Sequence, residues 1–156
     1  MNIYSSRPVV LCLSGHDPSG GAGLQADIEA LLAQGCHAAP VVTALTVQNT
    51  VNVRDFRVLD REWVQAQAAA VLSDSNVAAF KLGMLGSLEM VDTVVELLKA
   101  HPHVPMVCDP VLRAGGGLAV VHTDRDDSVP WVRRLAGIVR RIDPQAMSGT
   151  AMSATA

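Results

Sequence analysis

Residues 14–23, SGHDPSGGAG, separate an apolar run, PVVLCL (8–13), from a helix-like stretch, LQADIEALLAQG (24–35). The apolar run is unbroken rather than alternating, as a strand reads when helices cover both faces of its sheet. Beyond the turn, residues 22–34 set Leu24, Ile28, Leu31 and Leu32 on one helical stripe, and Gly35 closes the helix in the left-handed region. The stretch between is a strand-to-helix turn made almost without side chains. Glycine there is explained either by a tight crossover that needs unusual backbone angles or by a ligand brought against bare backbone.

The rest of the chain repeats the alternation. APVVTALTV (39–47) reads as a second buried strand and VNVRDFRVL (51–59) as a half-exposed one. REWVQAQAAAVLSD (61–74) is helical, VAAFKLGML (77–85) is a third buried strand, and Ser87 is placed to cap the helix LEMVDTVVELLKA (88–100). VPMVCDPVL (104–112) is a fourth strand, leading into RAGGG. Strands alternating with helices predict an α/β layered fold around a mainly parallel sheet. Ligands in such sheets bind beyond the carboxyl ends of the strands. SGHDPSGGAG, TVQNT, LGML and CDPVLRAGGG all fall at those ends.

Composition narrows the function classes. The chain has 156 residues, 49% apolar and 17% charged, as suits one globular domain with an aliphatic core, since aromatics are only 3%. A net charge of −3 carries no electrostatic footprint for nucleic acid. No apolar run approaches the roughly 18 residues of a membrane span, and the first residues lack a secretory pattern, so a cytoplasmic location is expected. Cys12, Cys36 and Cys108 show no C-x-x-C spacing and read as small hydrophobes in a reducing compartment. His101 and His103 flank a proline at a helix end, a loop rather than a metal site. After residue 121 the character changes. One amphipathic helix is expected there, with Trp131, Leu135, Ile138, Val139 and Ile142 on its stripe and the Arg pairs 133–134 and 140–141 on the solvated side; SGTAMSATA (148–156) is expected to be disordered.

Two phosphate-binding patterns fail at the glycine-rich turn. GAGLQA (21–26) matches G-x-G-x-x-A, but the dinucleotide fingerprint also needs an acid at the end of the next strand, which here ends LTVQNT. No Gly-Lys-Ser/Thr follows, so it is not a Walker A loop. A small-molecule site is left beside the plain crossover. Asp27, one turn into the helix, is a carboxylate able to accept ring N–H groups, and Gln48 at the end of the second strand offers a donor and an acceptor. A charge-assisted hydrogen bond of that kind contributes about 1.5–3 kcal/mol. Without such a partner, Asp27 is a solvated helix acid.

SGHDPSGGAGLQADIEALLAQGCHAAPVVTALTVQNT, then KLGMLGS and CDPVLRAGGG, closely resemble the hydroxymethylpyrimidine/phosphomethylpyrimidine kinases of thiamin biosynthesis, members of the ribokinase-like superfamily. The resemblance covers about residues 8–120 and implies the N-terminal portion of a three-layer α/β/α kinase domain, residues 1–121, followed by a divergent tail, 122–156. It implies transfer of the ATP γ-phosphoryl group, with Mg²⁺, to 4-amino-5-hydroxymethyl-2-methylpyrimidine and then to its monophosphate. Asp27 and Gln48 would address the ring nitrogens and amino group, Gly15 and Ala22 would line the pocket with backbone, and Thr46, Met84 and Val111 would add side-chain contacts. Lys81 would stand near the transferring phosphates and Asp109 near the magnesium and triphosphate.

The family pattern continues with a late glycine-rich anion hole, Gly-Thr-Gly-Cys or similar, and SGTA (148–151) does not match it. Losing one such donor alone costs on the order of 10²–10³ in rate. The expectation is therefore a chain cut short of its phosphate-donor half. Its open sheet edge favours aggregation or a homodimer. A non-catalytic pyrimidine-binding remnant and a pyridoxal kinase-like enzyme stand as the alternatives.

Overall fold

The computed structural model describes residues 7–109 and 111. Five strands and three helices alternate: β1 (Val9–His16), α1 (Gly23–Ala33), β2 (His37–Gln48), β3 (Val53–Val58), α2 (Arg61–Leu72), β4 (Val77–Leu82), α3 (Leu88–Ala100) and β5 (Met106–Cys108). The sheet order is β3-β2-β1-β4-β5. β1 pairs in parallel with β2 and β4, β4 with β5, and β3 alone runs antiparallel, as a hairpin arm on β2. This is the expected α/β fold with a mainly parallel sheet.

The layers follow from strand alternation. Val9, Leu11 and Leu13 of β1, with Phe80 and Leu82 of β4, pack against Val64 and Ala68 of α2 and Met90, Val91, Val94 and Leu98 of α3. The opposite face carries Val10 and Cys12, which meet Leu24 with Ile28 and Leu31 of α1. Leu32, expected on the same stripe, is 55% exposed. At about 100° per residue it lies some 80° around the helix from Leu24, beyond the strip that touches the sheet.

Two strands are shorter than the apolar runs imply. β4 stops at Leu82, because Gly83–Leu85 leave the sheet after one last bond from the Gly83 amide to the Leu13 carbonyl, 2.9 Å. β5 is only three residues long, although the Asp109 amide still reaches the Leu82 carbonyl at 2.9 Å. His101 and His103 fall in the turn after α3, and no group of three or more potential metal ligands occurs among the described residues. No helix among them is long and apolar enough to cross a membrane. The amphipathic helix and disordered end expected after residue 121 lie outside the described residues.

α3 begins as its sequence predicts, with the Ser87 hydroxyl accepting from the Met90 amide at 3.1 Å. Replacing Ser87 with Ala should cost about 1 kcal/mol in urea unfolding, and replacing it with Gly only a few tenths.

Candidate functional site

The carboxyl ends of β1, β2, β4 and β5 surround a cavity of about 540 Å³. Gly15, Ala22, Asp27, Thr46, Gln48, Lys81, Met84, Asp109 and Val111 all line it. The structure thus gathers every candidate site residue named from the sequence into one concavity, drawing on β1, α1, β2, β4 and the loops that follow the strands.

The glycine-rich turn is organised by a residue that sequence reasoning passed over. Asp17, 5% exposed, uses both carboxylate oxygens: Oδ1 accepts from the Ser19 amide and hydroxyl, both at 2.7 Å, and Oδ2 from the Ala22 amide at 2.9 Å. The Gly20 amide closes the same turn onto the Asp17 carbonyl at 3.1 Å. Burial by itself would raise the Asp17 carboxyl, but the bonds from Ser19 and from the Ala22 and Gly21 amides outweigh it and hold it below its ordinary 3.8. Ala22 has no capping side chain of its own, so Asp17 satisfies an amide at the start of α1 from across the turn. The signal was in the sequence, since an Asp followed two positions later by Ser favours a side-chain-to-backbone turn.

Two glycines are set by space. Gly23 has φ +59°, and a β-carbon there would meet the Gly15 carbonyl oxygen, so α1 starts closer to β1 than any side chain allows. Gly15 faces Met84, whose sulfur would lie 3.2 Å from an added β-carbon. Met84, 8% exposed, packs with Ala44, Phe56 and Val111. Its carbonyl accepts from the buried Thr43 hydroxyl at 2.6 Å, where the β1–β2 register shifts. Thr46 donates to the His16 carbonyl at 2.8 Å, tying β2 to the end of β1. Thr46 and Gln48 are half-buried, whereas Leu45 and Val47 point to the other, exposed side of the hairpin.

The charges meet in a way the sequence did not foretell. Lys81, expected beside phosphates, places Nζ 2.7 Å from Asp27 Oδ1. The two side chains are 21% and 13% exposed, and Asp27 Oδ2 is buried with no hydrogen-bond partner. Cys12, the register neighbour of Lys81, has its thiol pushed up to about 12 by burial and by the Asp27 charge, with Lys81 opposing. Burial and the Asp109 charge push Cys108 up to about 11, again with Lys81 opposing. Both stay protonated thiols at neutral pH. Asp109 is exposed at the rim, beyond β5.

A carboxyl held low in the folded state contributes stability that is complete above its unfolded value and is lost as pH falls through its folded one. Asp17→Asn should therefore lower stability at neutral pH and flatten its decline on acidification below 3.8; urea unfolding from pH 7 downward checks this. Gly23→Ala should cost at least about 2 kcal/mol in the same assay, because left-handed strain of about 1–2 kcal/mol adds to a backbone collision.

A family model described as phosphomethylpyrimidine kinase matches residues 17–139. A hydroxymethylpyrimidine/phosphomethylpyrimidine kinase of Streptomyces coelicolor is 44% identical over 122 residues, covering 78% of this chain and 45% of that protein. The thiamine biosynthesis multifunctional protein ThiED of Corynebacterium glutamicum is 42% identical over 139 residues, 89% of this chain and 18% of that one. The chain thus spans half or less of the length of these curated relatives. Among solved structures, phosphomethylpyrimidine kinase from Clostridium difficile is similar with a TM-score of 0.70 at 27% identity, covering 90% of this chain and 70% of that chain. Pyridoxal kinase from Staphylococcus aureus, in complex with AMP-PCP and pyridoxal, gives 0.61 at 29% identity, covering 68% and 40%. The ribokinase-like fold expected from the motifs is therefore the fold of the solved relatives, and the chain belongs to the phosphomethylpyrimidine kinase family.

Proposed function

We propose that this chain forms the acceptor-gripping part of an ATP-dependent kinase acting on 4-amino-5-hydroxymethyl-2-methylpyrimidine and its monophosphate, in the cytoplasm. The observation that supports this best is the cavity itself. It offers bare backbone at Gly15 and Ala22, a thioether at Met84, and polar groups at Asp27 and Gln48 on its walls. A flat, amino-substituted ring suits that mixture: its faces lie on backbone and sulfur, and its edge donates to a carboxylate.

In this reading Thr46 and Val111 bound the ring, and the hydroxymethyl oxygen faces the sheet rim where Asp109 stands. Phosphoryl transfer is chiefly positioning and charge neutralisation. Mg²⁺, when bound, would supply positive charge that neutralises the phosphates. An exposed rim carboxylate such as Asp109 fits a cation that takes one or two carboxylates and fills its other positions with waters and phosphate oxygens. A homodimer belongs to the same proposal, because Leu45 and Val47 on β2 and Val107 on β5 leave apolar surface exposed. Pyridoxal is the competing substrate, favoured by the likeness to pyridoxal kinase in complex with that ligand.

Calorimetry should find binding of the hydroxymethylpyrimidine that Asp27→Asn weakens by about 10- to 100-fold, and a phosphate ester formed on incubation with Mg·ATP would show that the chain transfers the phosphoryl group itself. Tight pyrimidine binding without ester would identify a non-catalytic binder. Tighter binding of pyridoxal would transfer the assignment to that vitamer. Light scattering that finds only monomer would remove the dimer.

A further inference from the structure

Lys81 and Asp27 come from β4 and α1, and their 2.7 Å ion pair joins these elements beside the cavity. The register neighbour of Lys81 on β1 is Cys12, and Cys12 belongs to the face on which α1 packs, so Lys81 rises toward that helix. Gly83, two residues further along, leaves the necessary room. A β-carbon there would collide with the Ser14 hydroxyl and come within 3.1 Å of Lys81 Nζ. The ammonium thus sits in a slot made by a missing side chain. Among the described residues lining the cavity, Lys81 is the one lysine or arginine.

A carboxylate accepts at both oxygens, with about four lone-pair positions in all. Among the described residues, Lys81 takes one position on Oδ1, and Oδ2 is buried without a partner. A buried polar atom left in that condition marks an incomplete arrangement.

We propose that Lys81 is a positioning residue for ring recognition rather than a phosphate ligand: it clamps Asp27 in one orientation, with acceptor capacity that an amino-bearing ring completes. This rests on the reading of the cavity as a pyrimidine site and adds to it the source of selectivity. Rings bearing hydrogen or an acceptor in place of the amino group leave the carboxylate unsatisfied and are rejected.

Calorimetry on the full chain decides it, using the 4-amino pyrimidine, its 4-desamino analogue and ATP. The wild type should prefer the amino compound by about 10- to 100-fold. Lys81→Met should reduce that preference to within about threefold while affinities for the desamino analogue and ATP stay unchanged, and Lys81→Arg should restore most of it. Preference retained in Lys81→Met, or loss confined to ATP, overturns the proposal. Absence of any preference in the wild type overturns the pyrimidine reading along with it, a different and recognisable failure. If Lys81→Met does not fold, Asp27→Asn/Lys81→Met removes both charges together and avoids a lone buried ion. Its preference should then equal that of Asp27→Asn alone, and a further loss would count against the coupling.

Discussion

The Gly15 carbonyl oxygen lies where a β-carbon on Gly23 would have to be. That contact sets how closely α1 approaches the end of β1, and most of the site depends on it. Once the helix starts there, Asp27 comes over the α1-facing side of the sheet within reach of Lys81. A side chain at residue 23 would push the helix start away from β1 and separate a pair held at 2.7 Å. The turn cannot rely on glycine alone, because glycine loses more conformational freedom on folding than other residues. Asp17 supplies the order that glycine lacks, with three bonds from Ser19 and Ala22.

Two aspartates on neighbouring stretches thus do different work. Asp17 is saturated by hydrogen bonds from its own turn, which hold its carboxyl low and leave it little capacity for a ligand. Asp27 has a cation on one side and an unpartnered oxygen on the other. A polar group is built into a wall when its bonds are complete and offered to a ligand when they are not. Met84 shows the same division within one residue: its carbonyl is held by Thr43, while its side chain lines the cavity beside Gly15.

The curated relatives continue well beyond the length of this chain, and the likeness to them includes the stretches that border the cavity. Their names concern a pyrimidine acceptor and its kinase. The described residues 7–109 and 111 contain a cavity bordered by backbone, a thioether and a charge pair at the carboxyl ends of parallel strands.

The apolar runs by themselves determined the strands, the helices between them and the layered class, because hydrophobic periodicity is local and survives in one dimension. The polar and glycine-rich breaks likewise marked the segments that border the cavity, because they interrupt the apolar runs at the strand ends. Local chemistry also located the Ser87 cap. Only the tertiary structure decided that Leu32 turns to solvent, that β4 ends at Leu82, and that Lys81 rests on Asp27. Each of these depends on a neighbour distant in sequence: the sheet face on which α1 packs, the last bond to Leu13, and Asp27 on α1. A charged residue's partner is chosen by distance in space, which sequence order does not encode.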